Sequence, residues 1–482
     1  MSISGAVLVL RSEGRRQAEV HAGQADVSAD GQFTRFRGVR QADLYRDSAP
    51  ALRLRAGEIV LDRATGDFTV LGDVEVAILR GDAVSSALGT DGVSSTPDSA
   101  APRRSAGSSA GSTPPVETGR LQAERVRYDT RSRVFVAEGH VRLTVGEVEI
   151  RADQLRLDQR AQVATAHGQV VVQQPGARLT ADSVRYEIRS RTAEAEGHVV
   201  LAQGDLVLRA GRMRFDLATR MTQASAGVTV TQKGLEVQAP SLVHDGRTDQ
   251  VTAEGGVRLS RGGSILTGER LAASLRVLRA EVSGGARLVR PAMPAEGDDP
   301  AADTLTREET IITAERIRFR WDAPEAEALG GVEVRQRDRT ARAARGYYNE
   351  ADGRLVLEGE VVVDGLTGDL FLSEGERPAD GETRRTMAMP ARVACDRLTL
   401  FLRSRDMEAE GRVRVTQGAR QATGDRARYT HRGRSVVVMG SVHMQDEDGN
   451  RLRADRVIIA LQEEAFEAFG NVQTEFKVRR GP

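Results

Sequence analysis

Apolar residues alternate with polar or charged residues through most of this 482-residue chain. The alternation has a period of two, as in Val141, Leu143 and Val145, and no stretch repeats with the period of a helix. A period of two places every second side chain on the same face of a strand. The sequence therefore predicts an all-β protein with one apolar sheet face.

The alternation restarts after a glycine at regular intervals. Gly139, Gly168 and Gly197 are 29 residues apart, Ala226 takes the next equivalent position, and Gly255 continues the series. Glycine within a strand is typical of a β-bulge or bend, so we expect each strand to bend there. The second residue after this position is apolar and is expected to point inward at Val141, Val170, Val199, Val228, Val257, Val332, Val361, Val413, Val442 and Val472.

A second motif precedes the glycine by 16 residues, as Ala123 precedes Gly139, and reads Ala, acidic, any residue, apolar, Arg, apolar, acidic in its best copies. We count about 13 repeats, each with two strand signals. The prediction is an elongated β-jellyroll or solenoid of antiparallel strands, and a parallel β-helix is the alternative. The amino end is interpreted as half a repeat, with Gly5, Val7 and Val9 in the usual places and both valines inward.

Three segments interrupt the period, at residues 82–119, 291–308 and 367–390. All three follow the strand that contains the Gly-x-Val motif. Repeat proteins tolerate insertions at turns, so we expect three disordered loops on one edge of the array. The repeats then occupy residues 1–81, 120–290, 309–366 and 391–482.

Composition excludes several classes of function. Lys plus Arg and Asp plus Glu are both 69, and the resulting zero net charge argues against a nucleic-acid partner. Cys395 is the only cysteine, so no internal disulfide forms, and we interpret it as a small buried apolar group. No apolar run is long enough for a membrane-spanning helix, and no signal peptide or anchor is visible, so we expect such a signal to lie outside this sequence.

The sequence offers few candidates for catalysis or metal binding. His140 and His198 share the position after the glycine, and His167 precedes one, but equivalent positions in successive repeats are about 10 Å apart, too far to share a metal. The serine motif at Gly107–Gly111 lies in a low-complexity segment, and the acidic segment from Asp446 is interpreted as a hairpin turn. We therefore predict a protein that is not an enzyme and has no cofactor and no metal.

The paired motifs, such as "ADQLRLD" from Ala152 and "AEGHVRL" from Ala137, together with "GNV" at Gly470–Val472, resemble the OstA-like family. This family includes the periplasmic LptA and LptC proteins and the amino-terminal domain of LptD. The resemblance implies a V-shaped β-jellyroll whose apolar groove carries the acyl chains of lipopolysaccharide, or a related glycolipid, across the periplasm. It also implies edge-strand pairing with an inner-membrane lipid exporter, with an outer-membrane assembly protein and, head to tail, with further copies.

Under this interpretation the inward residues line a lipid groove. The alternative is a structural or adhesive β-solenoid with a dry core, whose function lies on the outer face or in the inserted loops. Arginines between the apolar positions of the second motif are expected on a solvated outer face: Arg127, Arg156, Arg185, Arg214, Arg318 and Arg428. The predicted groove residues are Val141, Leu143, Leu155, Leu157, Val170, Val172, Val184, Tyr186, Val199, Leu201, Met213, Phe215, Val228, Val257, Leu259, Val332, Val361, Val413 and Val442.

Overall fold

The structure, a computed structural model, consists of β-strands joined by turns. No helix occurs among the described residues, and the all-β prediction is confirmed. The described residues are 2–12, 15–46, 49–79, 119–292, 308–320, 322–323, 325–337, 339–349, 351–366, 389–460 and 465–476.

The chain forms two compact units. The first comprises Met1–Lys233 and Ser241–Arg247, and the second comprises Gly234–Pro240 and Thr248–Pro482. The first unit contains β1 (Ser2–Ser12), β2 (Arg15–Val27), β3 (Phe33–Arg46), β4 (Ala49–Asp62), β5 (Phe68–Ile78), β6 (Gly119–Asp129), β7 (Val134–Val145), β8 (Val148–Asp158), β9 (Val163–Gln174), β10 (Ala177–Glu187), β11 (Thr192–Gln203), β12 (Leu206–Asp216) and β13 (Met221–Gln232).

The strand β14 (Leu235–Asp245) contributes residues to both units. The second unit contains β15 (Gln250–Arg261), β16 (Ser264–Ser274), β17 (Arg279–Arg290), β18 (Thr310–Arg320), β19 (Glu325–Gln336), β20 (Arg339–Asn349), β21 (Arg354–Leu366), β22 (Ala391–Phe401), β23 (Asp406–Gln417), β24 (Arg420–Thr430), β25 (Ser435–Gln445), β26 (Arg451–Ala460), β27 (Ala465–Phe469) and β28 (Gln473–Glu475).

Neighbouring strands in each unit pair antiparallel in the order of the chain. In the first unit this holds from β1 to β13. In the second unit it holds from β15 to β26, and β27 and β28 both pair with β26. This confirms the antiparallel prediction over the parallel β-helix, in which successive strands would run in the same direction. The number of repeats stays a prediction.

A β-bulge interrupts most strand pairs at the predicted glycine. Glu138 lies opposite Gln154 and Val141 lies opposite Ala152, so two residues of β7 face a single residue of β8. These two residues have positive φ, +81° at Gly139 and +46° at His140. Glycine reaches this region without the steric cost that a Cβ imposes, which explains the recurring glycine.

The amino-terminal strand departs from this pattern. Val7 and Val9 are 59% and 38% exposed, whereas Ala6 is buried, so the prediction that both valines point inward is wrong. In β1, Ser4 pairs with Gln24 and Ala6 pairs with Ala22, so Gly5 faces one residue and adds none to the strand. Without the extra residue, the alternation after the glycine is shifted by one position and the opposite set of side chains faces the core.

Val472 also differs from the prediction. Its side chain is 47% exposed. It lies between the short strands β27 and β28, which are only five and three residues long. Within the described part of the chain both strands pair with β26 alone. A residue at this edge has neighbouring strands on one side only, so it is not buried as its counterparts are.

Both halves of the bent strands contribute to one apolar interior. In the first unit, Ala137 and its pairing partner Val126 lie on one side of the bulge at Gly139. They belong to the same buried cluster as Val141, Leu143 and Val145, which lie on the other side. A single sheet can bury one face this completely only when its two halves pack on each other. The described ends of the three inserts lie between β5 and β6, β17 and β18, and β21 and β22, on the edge that carries the short hairpins elsewhere.

Candidate functional site

The residues just after the bulges form a fully buried row of the inner face. Val141, Val170 and Val199 are 1–2% exposed. In the adjoining strand each valine lies beside an alanine, as Val141 lies beside Ala152 and Val199 beside Ala210. In the first unit Val228 is the next buried residue of this row. The second unit has buried valines at the same position of the repeat: Val257, Val332, Val361, Val413 and Val442.

The other predicted groove residues also lie on the inner side, and none of them is exposed. They differ in how far they are covered. Leu143, Leu155, Tyr186, Met213 and Leu259 are buried. The half-buried ones are Leu157, Val172, Val184, Leu201 and Phe215.

One row of the first unit changes from covered to accessible along the sheet. Its members are neighbours in register, and we call it the upper row: Leu121, Leu143, Ile150, Val172, Leu179, Leu201 and Leu208. Leu121 and Leu143 are 4% and 6% exposed, and Leu208 is 6% exposed. The four residues between them, on β8 to β11, are only half-buried.

The upper row is half-buried in the four strands β8–β11. We call these four strands the open segment. One step nearer the hairpin edge, Val145 of β7 is 3% exposed, whereas Gln174 and Gln203 at the equivalent positions are exposed polar residues. The open segment therefore presents an apolar floor with a partly exposed apolar wall, which is the arrangement a long apolar ligand requires. Ile150 and Leu179 are not among the predicted groove residues, although the alternation before each Ala motif places them on the same face.

The outer face is charged. As predicted, Arg127, Arg156, Arg185, Arg214 and Arg428 are exposed, while Arg318 is half-buried and pairs with Glu281 at 2.5 Å. Across β6 to β8, Arg127 donates to Glu138 at 2.7 Å and Gln154 donates to the same carboxylate at 3.0 Å. Burial opposes ionisation of Glu138, but these two hydrogen bonds outweigh it and hold the pKa below its usual value.

An acidic side chain covers the glycine of many bulges. A Cβ added to Gly168 would lie 2.7 Å from Cγ of Asp153, which is closer than real atoms approach. The residue after the glycine then reaches the same acid, as His140 does with Glu124 at 2.7 Å. This contact is not among the features predicted for His140 and His198. The 16-residue spacing between the acid and the histidine would have indicated it.

The acid that ends the second motif caps the next turn. The Asp216 carboxylate accepts hydrogen bonds from the backbone N–H groups of Ala218 and Thr219 at 3.0 and 2.9 Å. Asp158 binds the backbone of Arg160 and Ala161 in the same way. The Thr219 hydrogen bond is the main cause of a lowered pKa at Asp216. These acids therefore shape the turn edge.

The remaining candidates have structural positions. His140, His167 and His198 are exposed, and among the described residues no group of three His, Cys, Asp or Glu side chains could hold a metal ion. Cys395 is buried, and burial raises its thiol pKa to about 11. Asp446 accepts from the backbone of Asn450 within a turn between β25 and β26, as the hairpin prediction requires. The Gly107–Gly111 motif lies outside the described residues.

Among the described residues no helix is long and apolar enough to cross a membrane. A search of curated proteins finds no match. Among solved structures, one neighbour is the crystal structure of LptH from Pseudomonas aeruginosa, the LptA-homologous periplasmic component of the lipopolysaccharide transport device. The identity is 16%, the TM-score is 0.21, and the alignment covers 22% of this chain and 82% of that one.

Two sequence models of protein families match parts of the chain. The model described as LptA/(LptD N-terminal domain) LPS transport protein matches residues 149–189 and 178–277. The model described as lipopolysaccharide-assembly, LptC-related, matches residues 331–447. These two segments are therefore similar to the OstA-like LptA/LptD and LptC families, which confirms the resemblance found in the repeats.

Proposed function

We propose that this protein binds lipopolysaccharide or a similar glycolipid in its apolar groove and conducts it across the periplasm from the inner to the outer membrane. The observation that carries the proposal is the open segment, where Ile150, Val172, Leu179 and Leu201 form a continuous apolar row that the protein covers only in part. Soluble proteins rarely leave such a row exposed unless a ligand or partner covers it.

The repeat lets the groove hold an acyl chain and also lets the chain move along it. Burying one methylene stabilises by about 0.8 kcal/mol, so an acyl chain is held by many small contributions. Because each repeat presents Val and Ala at the same level, a chain meets nearly equal surroundings when it moves by one repeat. Movement then needs no covalent chemistry, which is why we assign binding and conduction rather than catalysis.

The family matches support the choice of lipid. Both matching models describe lipopolysaccharide transport or assembly, and one of them covers the open segment. A periplasmic or envelope location is proposed on the same grounds. The charged outer face, with arginine and glutamate pairs such as Arg127 and Glu138, lets the outside stay hydrated while the apolar chains are shielded.

We further propose that edge strands join this protein to its partners. In β1, Ile3 and Val7 are 43% and 59% exposed, and in β27 Phe466 is 58% exposed. Edge strands with unpaired backbone groups bind another strand readily. The partners would be an inner-membrane lipid exporter, an outer-membrane assembly protein and further copies of this chain. Sedimentation of the chain over a range of concentrations tests self-association, and a Val7→Lys variant should weaken it.

Photocrosslinking in a diderm envelope tests the lipid proposal. A photoreactive residue at Leu201, in the accessible part of the upper row, should capture labelled lipopolysaccharide. The same residue at Leu143, its buried counterpart in β7, should capture much less, and at Arg142, on the outer face, none. No adduct at Leu201 in a folded, exported protein would contradict the proposal and favour a structural β-solenoid with a dry core.

A further inference from the structure

Tyr186 places a hydroxyl group inside the apolar groove without a protein partner. Its side chain is 7% exposed and lies on the inner face, because it alternates with the exposed Arg185. Within the part of the chain that the structure describes, no protein atom forms a hydrogen bond with this buried hydroxyl. A buried polar group that lacks a hydrogen bond costs about 1–3 kcal/mol, so a lasting role for Tyr186 requires a compensating interaction.

Small side chains flank Tyr186 in the sheet. Its partners in register on the two adjoining strands are Ala164 and Ala193. The tyrosine belongs to β10, in the middle of the open segment. Burial raises the pKa of the phenol despite the nearby charge of Arg191, so the hydroxyl is neutral at physiological pH and can donate a hydrogen bond.

A second tyrosine, at the same position of another repeat, has a hydrogen-bond partner within the protein. Tyr429 occupies the same position of the second motif in β24 and is also buried, at 5% exposure. Its hydroxyl lies 3.0 Å from Nδ1 of His431, two residues further along the chain. The residue two places after Tyr186 is Ile188, which offers no polar side chain. The repeat can therefore satisfy this hydroxyl from within, and at Tyr186 it does not.

We propose that the Tyr186 hydroxyl donates a hydrogen bond to an oxygen atom borne on the apolar chain of the bound lipid, either a chain hydroxyl or the carbonyl that joins the chain to its headgroup. This inference rests on the proposed lipid-binding function. A chain that enters the open segment lies against the ring and separates the side chains that cover the hydroxyl. The tyrosine then selects oxygen-bearing chains over plain hydrocarbon, since a plain chain would leave the hydroxyl unpaired.

Displacement of bound N-phenyl-1-naphthylamine from the full chain tests this selection. The first probe pair is tetradecanoate and 3-hydroxytetradecanoate, and the second is hexadecane, which carries no oxygen, and methyl tetradecanoate. One pair reports a chain hydroxyl and the other a carbonyl. We expect the wild type to prefer the hydroxylated or carbonyl-bearing member of at least one pair by about fivefold, the effect of one net hydrogen bond. Tyr186→Phe should remove that preference.

The control is Tyr429→Phe, which should keep the preference while lowering the unfolding temperature, because it removes one partner of an existing pair. Tyr186→Phe should not lower the unfolding temperature of the lipid-free protein. Equal affinities within both pairs for the wild type, or a preference that survives in Tyr186→Phe, would overturn the inference while leaving lipid binding intact. Failure of every probe to displace the reporter would instead contradict the proposed function.

Discussion

The Asp182 carboxylate accepts a hydrogen bond from His198, with 2.9 Å between Oδ2 and Nδ1, and covers the backbone of Gly197. A Cβ on Gly197, where φ is +76°, would lie 2.6 Å from Cγ of Asp182. The bulge, the acid and the residue after the glycine thus form one structural motif, which recurs along the chain. We infer that it fixes the bend of the strands in which it occurs.

Gly197→Ala should destabilise the first unit for two reasons. A residue with a Cβ is strained at a left-handed φ, and the new Cβ would clash with the Asp182 side chain. One repeat later, Ala226 of β13 stands at the glycine position and Gly211 of β12 at the acid position. The small side chain of this pair therefore belongs to the bulge residue, and the residue opposite it is the glycine. The double variant Gly197→Ala with Asp182→Gly copies that natural pair and should recover stability. The measurement is the urea midpoint of unfolding.

Gly204→Ala is the matched control for that prediction. Gly204 also has positive φ, +55°, but no atom lies within 4 Å of an added Cβ. It should cost about 1 kcal/mol, the price of the backbone conformation alone, and Gly197→Ala should cost at least about 1 kcal/mol more. Equal losses in the two single variants would show that Asp182 moves away freely and does not define the bulge.

Leu143→Ala and Leu201→Ala should separate stability from lipid binding. The two leucines occupy the same position of the repeat, but Leu143 is 6% exposed and Leu201 is half-buried. Leu143→Ala should destabilise by about 2–5 kcal/mol, and Leu201→Ala by clearly less. Displacement of the naphthylamine reporter by tetradecanoate should weaken in Leu201→Ala and change little in Leu143→Ala. The reverse pattern would place the ligand elsewhere.

Acid should weaken the turn edge through the capping carboxylates. The pKa of Asp216 is lowered in the folded protein, mainly by the Thr219 backbone hydrogen bond, so its contribution is complete above the unfolded pKa of about 3.9 and is lost as pH falls through the folded value. Asp216→Asn keeps an acceptor at every pH. Urea midpoints between pH 6 and pH 3 should therefore fall less in the variant, and identical pH profiles would contradict the capping role.

Cys395 should resist alkylation while the second unit is folded. Its thiol is 5% exposed and burial raises its pKa to about 11, so little thiolate forms at neutral pH. Mass spectrometry after iodoacetamide treatment should show no label under native conditions and one label in urea, since this is the only cysteine. Rapid native labelling would mean that β22 opens readily.

The sequence by itself determined the all-β class and the inward positions of Val141, Val170 and Val199, and it favoured antiparallel strands. These follow from a period of two and a glycine every 29 residues, both of which are local properties of the chain. The acid over Gly197 is also present in the sequence as a 16-residue spacing, but only the paired strands show that it covers the next glycine.

Tertiary structure alone decided which inward residues are covered. Leu143 and Leu201 are the same amino acid at the same position of the repeat, but Leu143 is buried and Leu201 is half-buried. Two residues further along, Val145 is buried, whereas Gln203 is exposed. The shift at Val7 arises because Gly5 adds no extra residue opposite β2, and among the described residues the hydroxyl of Tyr186 lacks a partner because Ile188 stands where Tyr429 has His431. Register and packing across the fold depend on the partners of a residue, which no single repeat contains.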